Sequence, residues 1–144
     1  ELKQRSQKKA LPIFVKDIPM AKNLAYINKE QEEFLRKVWP GKVTAVLKRK
    51  GKIKLYGVDK KTIALRIPNY KLVTILLQKL NRPLTGTSAN LSGKPASTKI
   101  KEVLNQFKNL KIQPDLIIDA GILSKSKPST VLDLTTSPPK ILRY

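Results

Sequence analysis

Apolar positions along the chain fall into short runs that alternate between two periods. Leu11 to Lys16 is an apolar stretch suited to a buried strand, provided that Pro12 sits where no ladder donor is needed. Asp17 then caps a short helix from Met20 to Tyr26. Asn28 opens a second helix with Gln31 three residues on, the spacing of a capping box, and Phe34, Leu35 and Val38 supply its apolar face. Trp39-Pro40-Gly41 ends it. Val43 to Arg49 and Thr62 to Ile67 are rich in β-branched residues and read as strands, with a possible short strand at Ile53 to Tyr56 and a turn at Gly57. Pro68 stops the second strand, and Asn69 to Leu80 repeats at helical spacing on Leu72, Val73, Leu76, Leu77 and Leu80.

Thr98 to Leu110 has the same spacing on Ile100, Val103, Leu104 and Phe107. Leu116 to Asp119 reads as a short buried strand ending at Ala120-Gly121, where Asp119 is a turn residue rather than a metal ligand. Thr130 to Leu134 and Lys140 to Tyr144 are two more strands, with Pro138-Pro139 between them. Strands interleaved with helices predict an α/β fold, a twisted mixed open sheet flanked by helices. No repeat, low-complexity tract or linker divides the 144 residues, so 1–144 reads as a single domain.

Composition removes whole classes of chemistry. With no cysteine and no histidine, disulfides, thiolate metal sites and Ser-His-Asp or Cys-His nucleophiles are excluded. Any reaction here must rest on positioning and on charge stabilisation. No apolar run approaches the roughly 20 residues of a membrane span, and no charged-then-apolar leader opens the chain, so the expected location is cytoplasmic, without a membrane partner. Net charge is +20, which favours a polyanionic partner such as a nucleotide or RNA. The 24 lysines are spread along the chain and read mostly as solvated surface, with weak RNA affinity as a by-product; the 6 arginines are better suited to bidentate recognition.

The densest polar chemistry lies at Thr87-Ser88-Ala89-Asn90-Leu91-Ser92-Gly93. Hydroxyls, an amide and a glycine in one string suit a cradle for an oxyanion-rich ligand, although the same composition also makes a polar turn region. Lys3 and Arg5, spaced by two in an extended segment, project to one side and suit a polyphosphate. Thr62 and Arg66, four apart in a strand, share a face. An arginine facing the core side of that strand needs an anionic partner.

Taken in order, Lys3-Gln4-Arg5, Leu11-Pro12-Ile13-Phe14-Val15, Val38-Trp39-Pro40-Gly41-Lys42-Val43-Thr44, Thr62 to Pro68, Thr87 to Gly93, Ser129-Thr130-Val131-Leu132-Asp133 and Ile141-Leu142-Arg143 resemble the Sua5/YrdC family of threonylcarbamoyl-AMP synthases, over nearly the whole chain. The resemblance implies a YrdC-like open sheet with a central concave cavity. It also implies a nucleotidyltransferase that joins ATP, L-threonine and bicarbonate into threonylcarbamoyl-adenylate and pyrophosphate for the threonylcarbamoyladenosine modification of tRNA. Mg2+ is expected with the ATP, but no protein metal site. Expected partners are tRNA or double-stranded RNA and the downstream threonylcarbamoyl transferase machinery.

Carried onto this chain, the resemblance assigns charge stabilisation near the triphosphate to Lys3 and Arg5, with Lys9 alongside. ATP contacts fall to Arg5, Lys9, Thr62, Asn90, Thr98 and Arg143. Threonine contacts fall to Phe14, Arg66, Ser88 and Ser129. Trp39 and Pro40 read as structural, shaping the entry to the strand at Val43. Taken alone, Arg143 reads as a surface charge near the end of the chain.

Two features depart from the family pattern. The family's opening strand and Pro-Thr-Asp-Thr-type segment precede the Lys-x-Arg motif, whereas this sequence begins at Glu1, so it reads as N-terminally incomplete. Phe14 stands where the synthases often carry a histidine, and Ala10 and Lys42 replace usual prolines. A binding module that holds a nucleotide or double-stranded RNA without catalysing the reaction is the alternative.

Overall fold

A computed structural model describes residues 2–3, 11–51 and 59–144. The possible strand at Ile53 to Tyr56 and the turn at Gly57 lie outside the described residues. The chain divides into two compact units, Glu1–Lys9 with Thr87–Lys127, and Ala10–Gly86 with Pro128–Tyr144.

The larger unit holds one six-stranded sheet. Its strands are β1 (Ile13–Phe14), β2 (Val43–Lys48), β3 (Thr62–Arg66), β4 (Leu84–Thr85), β5 (Thr130–Asp133) and β6 (Lys140–Arg143), in the order β4-β1-β3-β2-β5-β6. The pairs β1/β3 and β2/β5 are parallel; β1/β4, β2/β3 and β5/β6 are antiparallel. This is the mixed open sheet expected from the pattern.

Three helices belong to the same unit: α1 (Ile18–Leu24), α2 (Lys29–Val38) and α3 (Lys71–Leu80). The first two start at side-chain caps. The Asp17 side chain accepts from the Met20 amide at 2.7 Å. Asn28 and Gln31 complete the capping box, each accepting from the other's backbone amide, at 2.8 and 3.0 Å. Gln31 also donates to the Leu134 carbonyl at 2.7 Å, tying α2 to the residue after β5.

Strand alternation sorts side chains onto two faces. Ile63, Leu65 and Ile67 share one face with Ala45 and Leu47. They join Ile18, Met20, Ala21, Leu24, Leu35 and Trp39 in one apolar core. Leu35, Leu47 and Leu65 are wholly buried, each worth about 1.5–3 kcal/mol of transfer free energy. Arg66 lies on the other face with Thr62 and Ala64, so the expected core-side arginine is corrected.

Other apolar expectations need correction too. Phe34, Leu80 and Leu104 are exposed, leaving Leu35 the buried residue of α2, Leu77 of α3 and Phe107 of α4 (Ile100–Phe107), the helix of the smaller unit. Leu116 to Asp119 forms no strand, and Leu116, Ile117 and Ile118 are exposed. An apolar run becomes a strand only where a neighbour supplies a ladder, and no partner strand pairs with this one among the described residues. Asp119 does make the expected turn, accepting from the Gly121 amide at 2.8 Å. No described helix is long and apolar enough to cross a membrane.

Candidate functional site

In the smaller unit the polar string closes on itself. Leu91 to Lys94 is a turn whose ends meet at 3.1 Å, and Gly93 takes φ +83°, the left-handed position that the third residue of a type II turn requires. Asn90, nearly buried, donates to the carbonyls of Leu91 and Lys94 and accepts from the Ser88 hydroxyl at 2.5 Å. Lys3 spans the same loop. Its carbonyl accepts from the Ser92 amide, while its ammonium donates to the Ser88 carbonyl and, at 3.1 Å, to the Asn90 amide oxygen. Lys3, Ser88 and Asn90 thus form one cationic, hydroxyl-bearing cluster.

Gln106 is the residue that sequence reasoning missed here. From α4 its amide oxygen accepts from the Leu91 amide at 2.9 Å and its amide nitrogen donates to the Pro95 carbonyl at 2.9 Å, clasping both ends of the turn. Ser97 accepts from the Lys99 amide and donates to Glu102, whose carboxyl is held below its ordinary value first by that hydroxyl and then by Lys99. Thr98 lies between this start of α4 and the Leu123 amide, which donates to its carbonyl at 3.0 Å.

In the larger unit the second group lies along one row of the sheet. Phe14 pairs with Arg66 across β1/β3, Thr44 with Val131 across β2/β5, and Val131 with Arg143 across β5/β6. Continuing the β2/β3 register one step beyond Ala45 opposite Leu65 sets Thr44 opposite Arg66. Phe14, Arg66, Thr44 and Arg143 therefore share a face at one end of the sheet. The Arg66 Cζ lies 5.9 Å from the Phe14 ring centroid.

Among the described residues, one acceptor holds Arg66. Its Nε donates to the Gly41 carbonyl at 2.8 Å, and that carbonyl is set by the Trp39-Pro40-Gly41 turn. The turn is fixed by the Trp39 indole on the Val43 carbonyl at 2.8 Å and by the Gly41 amide on the Ile67 carbonyl at 2.9 Å. Trp39, buried and bonded to the Val43 carbonyl, shapes the entry to β2 as expected. No ion pair to a carboxylate is found for Arg66 among the described residues. Burial alone pulls its pKa below the ordinary arginine value. A half-buried guanidinium whose terminal nitrogens meet no acceptor among the described residues is suited to a carboxylate or phosphate.

At the other end of the row, Ser129 joins two partners. Its hydroxyl lies 3.0 Å from that of Thr44, which is 3% exposed, and Arg143 Nη2 donates to both its carbonyl and its hydroxyl, at 2.9 and 3.1 Å. Arg143 is thus engaged with a site residue despite lying at an exposed strand end. Thr44 carried no assignment, because only the strand register reveals its burial beside Ser129.

Thr62 shares Arg66's face but sits four residues away, roughly 13 Å along the strand. Its hydroxyl and amide both donate to the Asp59 carboxylate, at 3.2 and 2.8 Å. The amides of Lys61 and Thr62 keep the Asp59 carboxyl below its ordinary value. Arg5 and Lys9 lie outside the described residues. No group of three side chains suited to a metal ion occurs among the described residues.

The family model Sua5/YciO/YrdC, described as telomere recombination, matches residues 1–144. A Pyrococcus abyssi protein named threonylcarbamoyl-AMP synthase is 35% identical over 136 residues, 92% of this chain and 36% of that protein. A Methanocaldococcus jannaschii relative is 35% identical over 133 residues, 92% of this chain and 61% of that protein. The chain therefore spans less than two thirds of either relative. The crystal structure of P. abyssi Sua5 complexed with L-threonine superposes with a TM-score of 0.85 at 34% identity, covering 99% of this chain and 42% of that one. Escherichia coli YciO does so with a TM-score of 0.82 at 26% identity, covering 99% and 68%.

Proposed function

The chain belongs to the Sua5/YciO/YrdC family, and from that membership we propose that it acts as an L-threonylcarbamoyladenylate synthase, a cytoplasmic nucleotidyltransferase using ATP, L-threonine and bicarbonate. The observation that carries the reading is Arg66: a half-buried cation pinned through Nε, with no carboxylate of its own among the described residues. The carboxylate of an amino acid satisfies that demand.

In this reading the threonine carboxylate binds the Arg66 terminal nitrogens, with Phe14 beside it and Ser129 held by Thr44 and Arg143. The threonine amine takes up CO2 from bicarbonate, releasing water, to give a carbamate. A carbamate oxygen then attacks the α-phosphorus of ATP, and pyrophosphate leaves with the electron pair of the broken P–O bond. No histidine is required, because the reaction is driven by alignment and by neutralising the developing charge. Lys3, fixed on Ser88 and Asn90, supplies positive charge to the phosphates, with Arg5 and Lys9 in the same role; Thr62, Asn90, Thr98 and Arg143 contact the nucleotide. Mg2+ would arrive with ATP as part of the substrate and would supply further positive charge to its phosphates.

The test is pyrophosphate release from ATP. Release requires L-threonine and bicarbonate together, and omission of either abolishes it; equal release without them refutes the synthase reading. One observation favours a second reading, a nucleotide- or double-stranded RNA-binding protein without the reaction. The chain carries +20 net charge, and the exposed Tyr26 ring has Lys48 and Lys50 ammonium groups 5.9 and 5.7 Å from its centroid. That reading predicts salt-sensitive RNA binding that survives Arg66→Ala.

A further inference from the structure

The Phe14 ring is placed by a missing atom. Gly86 follows β4, whose Leu84 pairs with Phe14, and its amide donates to the Pro12 carbonyl at 2.8 Å. A Cβ at position 86 would come within 2.8 Å of three ring atoms, Cζ, Cε1 and Cε2, closer than carbon atoms approach. Gly86 does not occupy the left-handed region, so the ring, and not the backbone, is what excludes a side chain there. The ring end therefore rests on bare backbone, and its centroid lies 5.9 Å from the Arg66 Cζ. Any side chain at 86 would push the ring out of that place.

We propose that Gly86 is a positioning residue that seats Phe14 as an apolar wall beside Arg66, so that the amino-acid site selects a β-methyl group and prefers threonine to serine. This rests on the reading that Arg66 holds the substrate carboxylate. A carboxylate on the terminal nitrogens of Arg66 brings the substituents on the next two carbons within reach of the ring. The ring has no donor or acceptor for a hydroxyl but offers dispersion surface to a methyl. Serine lacks that methyl, and an apolar wall discriminates one such group by about 10-fold or more.

The experiment combines Gly86→Ala, Phe14→Ala and the double variant, reading thermal unfolding together with threonine and serine affinities by calorimetry. Gly86→Ala is expected to lower Tm and to weaken threonine about 10-fold while leaving serine unchanged. In the Phe14→Ala background the same substitution should shift neither quantity, because the atoms it would strike are gone. A Gly86→Ala chain that fails to fold, with the double variant folded, supports the clash equally well. Equal Tm shifts in both backgrounds overturn the contact. Coupled Tm shifts with an unchanged threonine-to-serine ratio overturn the selectivity. Wild-type protein that binds neither amino acid overturns the carboxylate reading and the selectivity with it, while the unfolding data still report the ring's position.

Discussion

Replacing Arg66 by methionine keeps most of the side chain's apolar stem and removes every donor. In the free protein the loss among the described residues is the charged hydrogen bond to the Gly41 carbonyl, about 1.5–3 kcal/mol taken alone. Against it stands relief of the desolvation that already pulls the Arg66 pKa down. The two effects have opposite signs, so stability should fall by less than the hydrogen bond alone would cost, under about 3 kcal/mol. Ligand binding has no such offset. Losing the guanidinium's terminal nitrogens removes a charge-assisted pair worth about 3–4 kcal/mol, a factor of roughly 100 to 1,000 in threonine affinity. Arg66→Lys retains the charge, but an ammonium cannot hold the Gly41 carbonyl and a carboxylate with the same fork, so it should recover only part of that loss. Isothermal titration with L-threonine on variants of matched Tm measures both effects. Threonine affinity within about threefold of wild type in a folded Arg66→Met protein would refute the carboxylate role.

Three further outcomes follow from neighbouring contacts. Thr44→Val preserves shape in a buried position and removes the hydroxyl beside Ser129; stability should fall by about 1 kcal/mol and threonine affinity about 3- to 10-fold, read by denaturant melts and titration. Gln106→Met cuts both hydrogen bonds that clasp the 91–95 turn, so ATP affinity should fall several-fold with Gln106→Glu recovering at most half of the contacts; unchanged nucleotide binding in both would remove Gln106 from the site. The Asp59 carboxyl is held below its ordinary value of 3.8 by the Lys61 and Thr62 amides. Its contribution is therefore complete above that value and lost as pH falls through the lowered one. Protection of the Thr62 amide, measured against its intrinsic exchange rate, should fall in that acidic window and should be low at all pH values in Asp59→Ala.

How much of this was legible in the sequence depended on whether the cause was local. Asp17, Asn28 and Gln31 announce their helices because a cap acts over three residues, and the strands at Val43 and Thr62 follow from β-branched runs. The candidate residues Phe14, Arg66, Ser129 and Arg143 could be named from motif order, but the row that holds Phe14, Arg66 and Arg143, with Ser129 bonded to it, needs the register of five strands. Thr44, Gln106 and Gly86 escaped notice because their partners are far away in sequence: Ser129, the turn at Leu91 and the Phe14 ring. Leu116 to Asp119 misled for the converse reason. Its apolar composition matched a buried strand, yet a strand is completed by a neighbour that no local pattern reveals.

The most direct measurement supplies 13C-labelled bicarbonate with ATP and L-threonine and weighs the adenylate formed. The expected product is a threonylcarbamoyl-adenylate one mass unit heavier than that from unlabelled bicarbonate, lost in Arg66→Met. Turnover of ATP with no labelled carbon in any adenylate product would contradict it.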